Sequence, residues 1–217
     1  MLTTSSKRAD LGGLHYTTNH TGKMSGLQSL STAVEINPLC IKRQAKKDSI
    51  CAHCFAVALT NRYSALAEHL RRNAAILSAD VLPLSVLPLI PSRYFRFESF
   101  GDLMSVNQVI NYFNICRKNP DTLCALWTKN PHLIAKAIEA GHVKPENLQI
   151  VLSSPILNKP IKATKWAFVD KVFTVYDKQA AKAVNINCGA RSCLGCGRCY
   201  RPNPDGAKIQ FINELLK

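Results

Sequence analysis

The sequence contains no apolar run long enough to cross a bilayer. Its longest, Val81 to Ile90, is broken by Pro83 and Pro88 and falls well short of the ~20 residues a span requires. The opening MLTTSSKRAD has no apolar core of the kind a signal peptide carries. Acidic residues are scarce, with 14 Asp and Glu against 28 Lys and Arg, which leaves a formal charge of +14. The six histidines form no His-x3-His pair. Thr21-Gly22-Lys23 looks like the end of a phosphate loop, but position 17 is Thr where a glycine is required and no strand precedes it. No repeat and no linker divides the chain. The expectation is a soluble, cytoplasmic protein with no membrane partner, folded as one domain over residues 1–217. At 47% hydrophobic and 19% charged, the composition excludes a disordered chain.

Cysteine, by contrast, is abundant. There are nine, and seven fall into two groups. Cys40, Cys51 and Cys54 are spaced C-x10-C-x2-C; Cys188, Cys193, Cys196 and Cys199 are spaced C-x4-C-x2-C-x2-C. A disulfide scaffold fits poorly, because the chain is not short and the count is odd. Metal-bound thiolates in a reducing compartment fit better. Both zinc and iron–sulfur clusters use thiolates. An iron–sulfur core, of the 4Fe-4S kind at one or both groups, is favoured. The small residues of Cys188-Gly189-Ala190 and Cys193-Leu194-Gly195-Cys196-Gly197 let the backbone wrap a bulky core. Zinc is the alternative metal. Three ligands would leave one iron open to chemistry, whereas four would close the second group. Cys116 and Cys124 read as core residues, and His53 as a bystander between two cysteines.

Periodicity predicts an α/β fold. Residues 1–26 read as a loop-rich segment, 27–187 as the α/β core and 188–217 as a cysteine-rich C-terminal segment. Strands are predicted at Leu27–Thr32, Tyr94–Glu98, Leu123–Trp127, Leu148–Leu152 and Val172–Tyr176, with a short piece at Val184–Ile186. Helices are predicted from Cys54 to about Leu77, from Leu103 to about Arg117 behind an Asp102 cap, and from Pro131 to just before Gly141. Alternating strands and helices imply a parallel sheet. The units are too few for a closed eight-unit barrel, so a partial (β/α) barrel or an open parallel sheet is expected, with cysteine-rich metal-binding loops.

The predicted strands end in polar residues, and parallel sheets bind ligands at those carboxyl ends. Glu98, Asp102, Lys129 and Asp177 are the catalytic candidates: Glu98 or Asp177 to handle protons, Lys129 to contact an anion. Ser99, Ser153 and Ser154 are candidates for holding a cofactor. The positive charge suits nucleic acid or an anionic substrate.

Read in order, NHTGKMSGLQSLST, Cys51-Ala-His-Cys54-Phe-Ala, FRFESFGDL, LWTKNP, FTVYD and INCGARSCLGCGRCY resemble the phage- and plasmid-encoded gene product 88-like proteins. The resemblance implies a mobile-element protein at work in a bacterial host cell and no particular reaction. A looser likeness is to radical S-adenosylmethionine enzymes. It implies a partial barrel, an open cluster on Cys40, Cys51 and Cys54, an auxiliary cluster on the four later cysteines, and S-adenosylmethionine as a cofactor. The ten-residue first spacer departs from the C-x3-C-x2-C of those enzymes. The expected function is therefore an iron–sulfur redox or radical-type enzyme. The alternative is a non-enzymatic, zinc- or cluster-stabilised module that binds nucleic acid.

Overall fold

The structure, a computed structural model, describes residues 13–216. Seven strands lie side by side in chain order in one open sheet. They are β1 (Tyr16–Thr18), β2 (Gln28–Leu30), β3 (Tyr94–Phe97), β4 (Leu123–Thr128), β5 (Leu148–Ser153), β6 (Lys171–Tyr176) and β7 (Gln210–Leu215). β1 runs antiparallel to β2, and the other pairings are parallel. The helices among the described residues are α1 (Pro38–Gln44), α2 (Phe55–Arg62), α3 (Ser64–Ala79), α4 (Val106–Lys118), α5 (Pro131–Glu139) and the single turn α6 (Cys193–Cys196).

The period-2 alternation of the strands splits the sheet into two unlike faces. Leu30, Phe95, Phe97, Cys124, Leu126, Ile150, Leu152 and Val172 point one way. They form the main core with Leu77 of α3, with Val109, Tyr112 and Phe113 of α4, and with Ile134 and Ala137 of α5. No helix links β5 to β6, and Ala163, Trp166 and Phe168 cover that part of the same face. The opposite face carries Tyr94, Ala125, Trp127, Val151 and Phe173. It packs against Tyr200 and Cys199 of the C-terminal segment.

The four predicted mid-chain strands are present, and the candidate at Leu27–Thr32 is β2. Four predictions are corrected. Val184–Ile186 is not a strand, and the last parallel position is taken by β7, whose Asn213 and Glu214 interrupt the apolar pattern. The cysteine run therefore lies between two strands rather than after the last one. β1 lies inside the segment read as loop-rich; the rest of that reading, up to residue 12, lies outside the described residues. The single helix expected after Cys54 is two, divided at Tyr63, whose extended backbone closes α2 and opens α3. Finally, α4 begins at Val106, capped by Ser105, whose hydroxyl accepts from Gln108 N at 3.1 Å. Asp102 cannot serve as its cap because its carboxylate is engaged elsewhere.

The turn after β3 depends on Gly101. Its φ is +72°, and a Cβ there would lie 2.5 Å from the Thr32 carbonyl oxygen. Gly141 also has a positive φ, +91°, but has open space around it. Gly101→Ala is expected to cost about 2–4 kcal/mol, strain plus collision, and Gly141→Ala about 1–2 kcal/mol from strain alone. Urea unfolding of the two variants checks this; equal losses would contradict the close approach at Gly101.

Candidate functional site

The carboxyl end of β3 is the centre of a buried polar network. Glu98 leaves the strand with φ +57°, a conformation rare for a side-chain-bearing residue and costly enough to need support from its surroundings. It is only 3% exposed. Thr32 donates to Glu98 Oε2 through its backbone N–H at 3.2 Å and its hydroxyl at 3.0 Å. Gln108 Nε2 donates to Oε1 at 2.6 Å, and the Tyr112 hydroxyl donates there too. Burial outweighs these bonds and pushes the Glu98 carboxyl up to about 8.

Asp102 is buried beside it. Its carboxylate accepts from Leu103 N at 2.8 Å, the Thr128 hydroxyl at 2.5 Å and Lys129 N at 2.8 Å. Burial raises its pKa as well, with the Lys129 charge opposing. The backbone oxygen of Asp102 accepts from Asn37 Nδ2 at 2.7 Å, and Asn37 Oδ1 caps α1 by accepting from Leu39 N and Cys40 N. The acid network thus fixes the helix that carries Cys40.

Above this network opens a cavity of about 740 Å³, within the range of ligand pockets. All seven clustered cysteines line it, together with Glu98, Ser99, Asp102, Lys129 and Ser153. Two predicted residues are placed elsewhere. Ser154 does not line the cavity; its hydroxyl donates to the carbonyls of Ile156 and Lys159. Asp177 also lies outside it, where bonds from Ala180 N, Asn158 Nδ2 and Gln179 N hold its carboxyl below the usual range. Both do ordinary turn chemistry. Cys116 and Cys124 are buried in the main core.

The thiols face a shared space rather than one point. Among the described residues, no three His, Cys, Asp or Glu side chains converge closely enough to hold one metal ion. Burial raises the pKa of Cys40, and the Asp102 and Glu98 carboxyls add to it. Burial and the neighbouring thiols raise Cys193, and bring Cys199 up to about 12. Thiols held protonated in this way are poor nucleophiles.

Several cavity residues escaped the sequence reading. Arg96 stands in the middle of the apolar strand YFRF, its guanidinium 4.0 Å from the Trp127 ring centre. Its charge opposes the pKa rise of both Cys193 and Cys199. Lys23 pairs with Glu214 and approaches Cys188 Sγ at 3.5 Å. Outside the cavity lining, Lys171, fully buried at the start of β6, donates to Asn203 Oδ1 at 2.5 Å and has its pKa lowered by burial. The missed signal was positional: a charge at an alternating position of an apolar strand marks the face that is not closed by helices.

The fold and site define a class: an α/β protein whose open, mostly parallel sheet carries a thiol-lined cavity at its carboxyl end. The family model for gene product 88 matches residues 15–210, and the chain belongs to that family. No curated protein and no solved structure gives a match. The looser likeness to radical S-adenosylmethionine enzymes finds no support in these comparisons.

Because the Glu98 pKa rises from its ordinary 4.5 to about 8, the folded state binds more protons than the unfolded state between those values. Stability is therefore greatest below pH 4.5 as far as this group is concerned, and falls as pH rises toward 8. Glu98→Gln stays neutral throughout. Wild type should lose several kcal/mol relative to this variant between pH 5 and pH 9. Urea midpoints at the two pH values test it, and parallel pH profiles for the two proteins would refute the assignment.

Proposed function

We propose that the cavity holds iron–sulfur chemistry and that the protein is a redox or radical-type enzyme of a phage, acting in the bacterial cytoplasm. The observation that carries the reading is that Cys40, Cys51 and Cys54 line the same cavity as Cys188, Cys193, Cys196 and Cys199, more than 130 residues away. The donor set fits such a group. Seven soft sulfur ligands suit iron–sulfur cores or zinc. Arg96 and Lys23 supply positive charge beside the four-cysteine group, which favours thiolates once a metal displaces their protons. Gly197, with φ +60°, turns the chain tightly between Cys196 and Cys199, where a Cβ would meet the Tyr94 hydroxyl at 2.5 Å.

A bound cluster would supply one-electron transfer. The chain's own residues have other roles. Glu98, a carboxyl with a pKa near 8 on the cavity wall, can hold or release a proton near neutral pH. Trp127, Phe173 and Phe100 give the substrate an apolar surface and keep water out. Strands in chain order are also the arrangement of an incomplete (β/α) barrel, whose ligands sit at this same end.

A second reading is favoured by one observation. Lys42, Lys46 and Lys47 are exposed on or just after α1, and Phe55, 61% exposed, stands at the cavity. Basic side chains beside an open aromatic ring suit single-stranded nucleic acid. In this reading binding weakens steeply with salt.

Anaerobic reconstitution with iron and sulfide decides between these readings. The expected product is brown and loses about half its iron in Cys54→Ser and again in Cys196→Ser, one group being lost and the other kept in each. Cys116→Ala should keep its iron. Stoichiometric zinc with no visible absorption band would sink the iron–sulfur reading. A cluster spectrum unchanged by S-adenosylmethionine would remove the radical version and leave electron transfer.

A further inference from the structure

The cavity contains a charge mismatch that the thiols do not explain. Its carboxylates are saturated from within: Glu98 receives four donor bonds and Asp102 three. Among its cations Lys23 is paired with Glu214, but Arg43 and Lys129 are not saturated. Arg43 lies one turn after Cys40 on α1, so both side chains share a face, and both line the cavity. One edge of its guanidinium is fixed, with Nη2 donating to the Lys129 carbonyl at 3.1 Å. Its Nε–H is buried and has no partner among the described residues. Lys129 Nζ makes no hydrogen bond or ion pair among the described residues. Nearby, Ser99 lines the same cavity and is 8% exposed, and its buried hydroxyl has no partner among the described residues. An unmatched buried donor is costly, and a ligand that accepts from it would remove that cost.

We propose that Arg43, Lys129 and Ser99 form an oxyanion subsite that anchors the substrate beside the three-cysteine group. The inference rests on reading the cavity as a substrate site, and does not require the metal. Arg43 is held along one edge and keeps its Nε–H free, so it presents a fork that matches a carboxylate or a phosphate. Lys129 adds a point charge and Ser99 a hydroxyl donor. The neighbouring wall is apolar, built from Val34, Ala56, Leu59 and Phe100. The ligand is therefore an oxyanion carried on an apolar body, and the overall +14 charge draws it in. Arg43 is a binding residue, and Glu98 faces the same space for proton transfer.

Calorimetric titration of the full chain with phenyl phosphate and with phenylacetate tests this and separates the two oxyanion sources. Saturable binding of at least one is expected. Arg43→Met should weaken it about tenfold or more. Arg43→Lys should fall between the two, since it keeps the charge and loses the fork. Lys136→Met, at an exposed position on α5 outside the cavity, should bind as wild type does. If Arg43→Met fails to fold, as judged by circular dichroism, Lys129→Met takes its place with the same expected direction. No binding of either probe to wild type overturns the proposal. So does unchanged affinity in folded Arg43→Met, or an equal loss in Lys136→Met. Titrating iron-loaded and iron-free protein keeps the two readings apart: anion binding without iron uptake supports the subsite while the cluster reading fails, and iron uptake without anion binding does the reverse.

Discussion

Two carboxyl groups are buried side by side at the carboxyl rim of the sheet, and much else is arranged to make that tolerable. An unpaired buried carboxylate is far too costly to keep. Glu98 is therefore wrapped by donors from the end of β2 and from α4, and Asp102 by donors from the end of β4. Three adjacent strand ends and the helix behind them are pinned to one point. Asn37 extends the network, because one end of its amide bonds the Asp102 backbone while the other caps α1. The position of Cys40 follows from the acids below it.

The second wall of the cavity is held by different means. Asn187 and Asn213 exchange bonds, with Asn213 N donating to Asn187 Oδ1 at 2.9 Å and Asn187 N to the Asn213 carbonyl at 3.1 Å. Cys188 N donates to that same carbonyl at 3.0 Å, so the cysteine run leaves from the edge of β7. Further on, Tyr200 packs on Tyr94 at 5.1 Å and Trp127 at 6.0 Å between ring centres. The run is thus clamped onto the face of the sheet that the helices leave uncovered. One wall is tied by polar bonds and the other by polar bonds and aromatic packing together, and the thiols of both face the space between.

Much of the fold was legible because the helix-facing residues obey a simple rule. Phe95, Phe97, Leu126, Ile150 and Val172 are apolar at alternating positions, and each lies in a strand that periodicity identified. β7 was not legible, since Asn213 and Glu214 interrupt its pattern; these side chains serve the Asn185 carbonyl, just ahead of the cysteine run, and Lys23 rather than a core. β1 is three residues long, too short for a period to register. At the site, Glu98, Asp102, Lys129 and Ser153 were legible as polar strand ends. Ser154 and Asp177 look the same in sequence and differ only in which way the following loop turns. Arg43 and Arg96 gave no signal, since a basic loop and a lone arginine in a strand are common.

The sequence alone determined the chemistry available: seven cysteines in two spaced groups, a parallel α/β order, and a strong excess of positive charge. Those follow from residue type and short-range spacing. Only the tertiary structure decided that the two groups share one cavity, that the carboxylates are satisfied internally while Arg43 is not, and that Arg96 stands among thiols. These are relations between residues far apart in the chain. They are set by which face of the sheet each strand presents and by the donors that each buried charge must find.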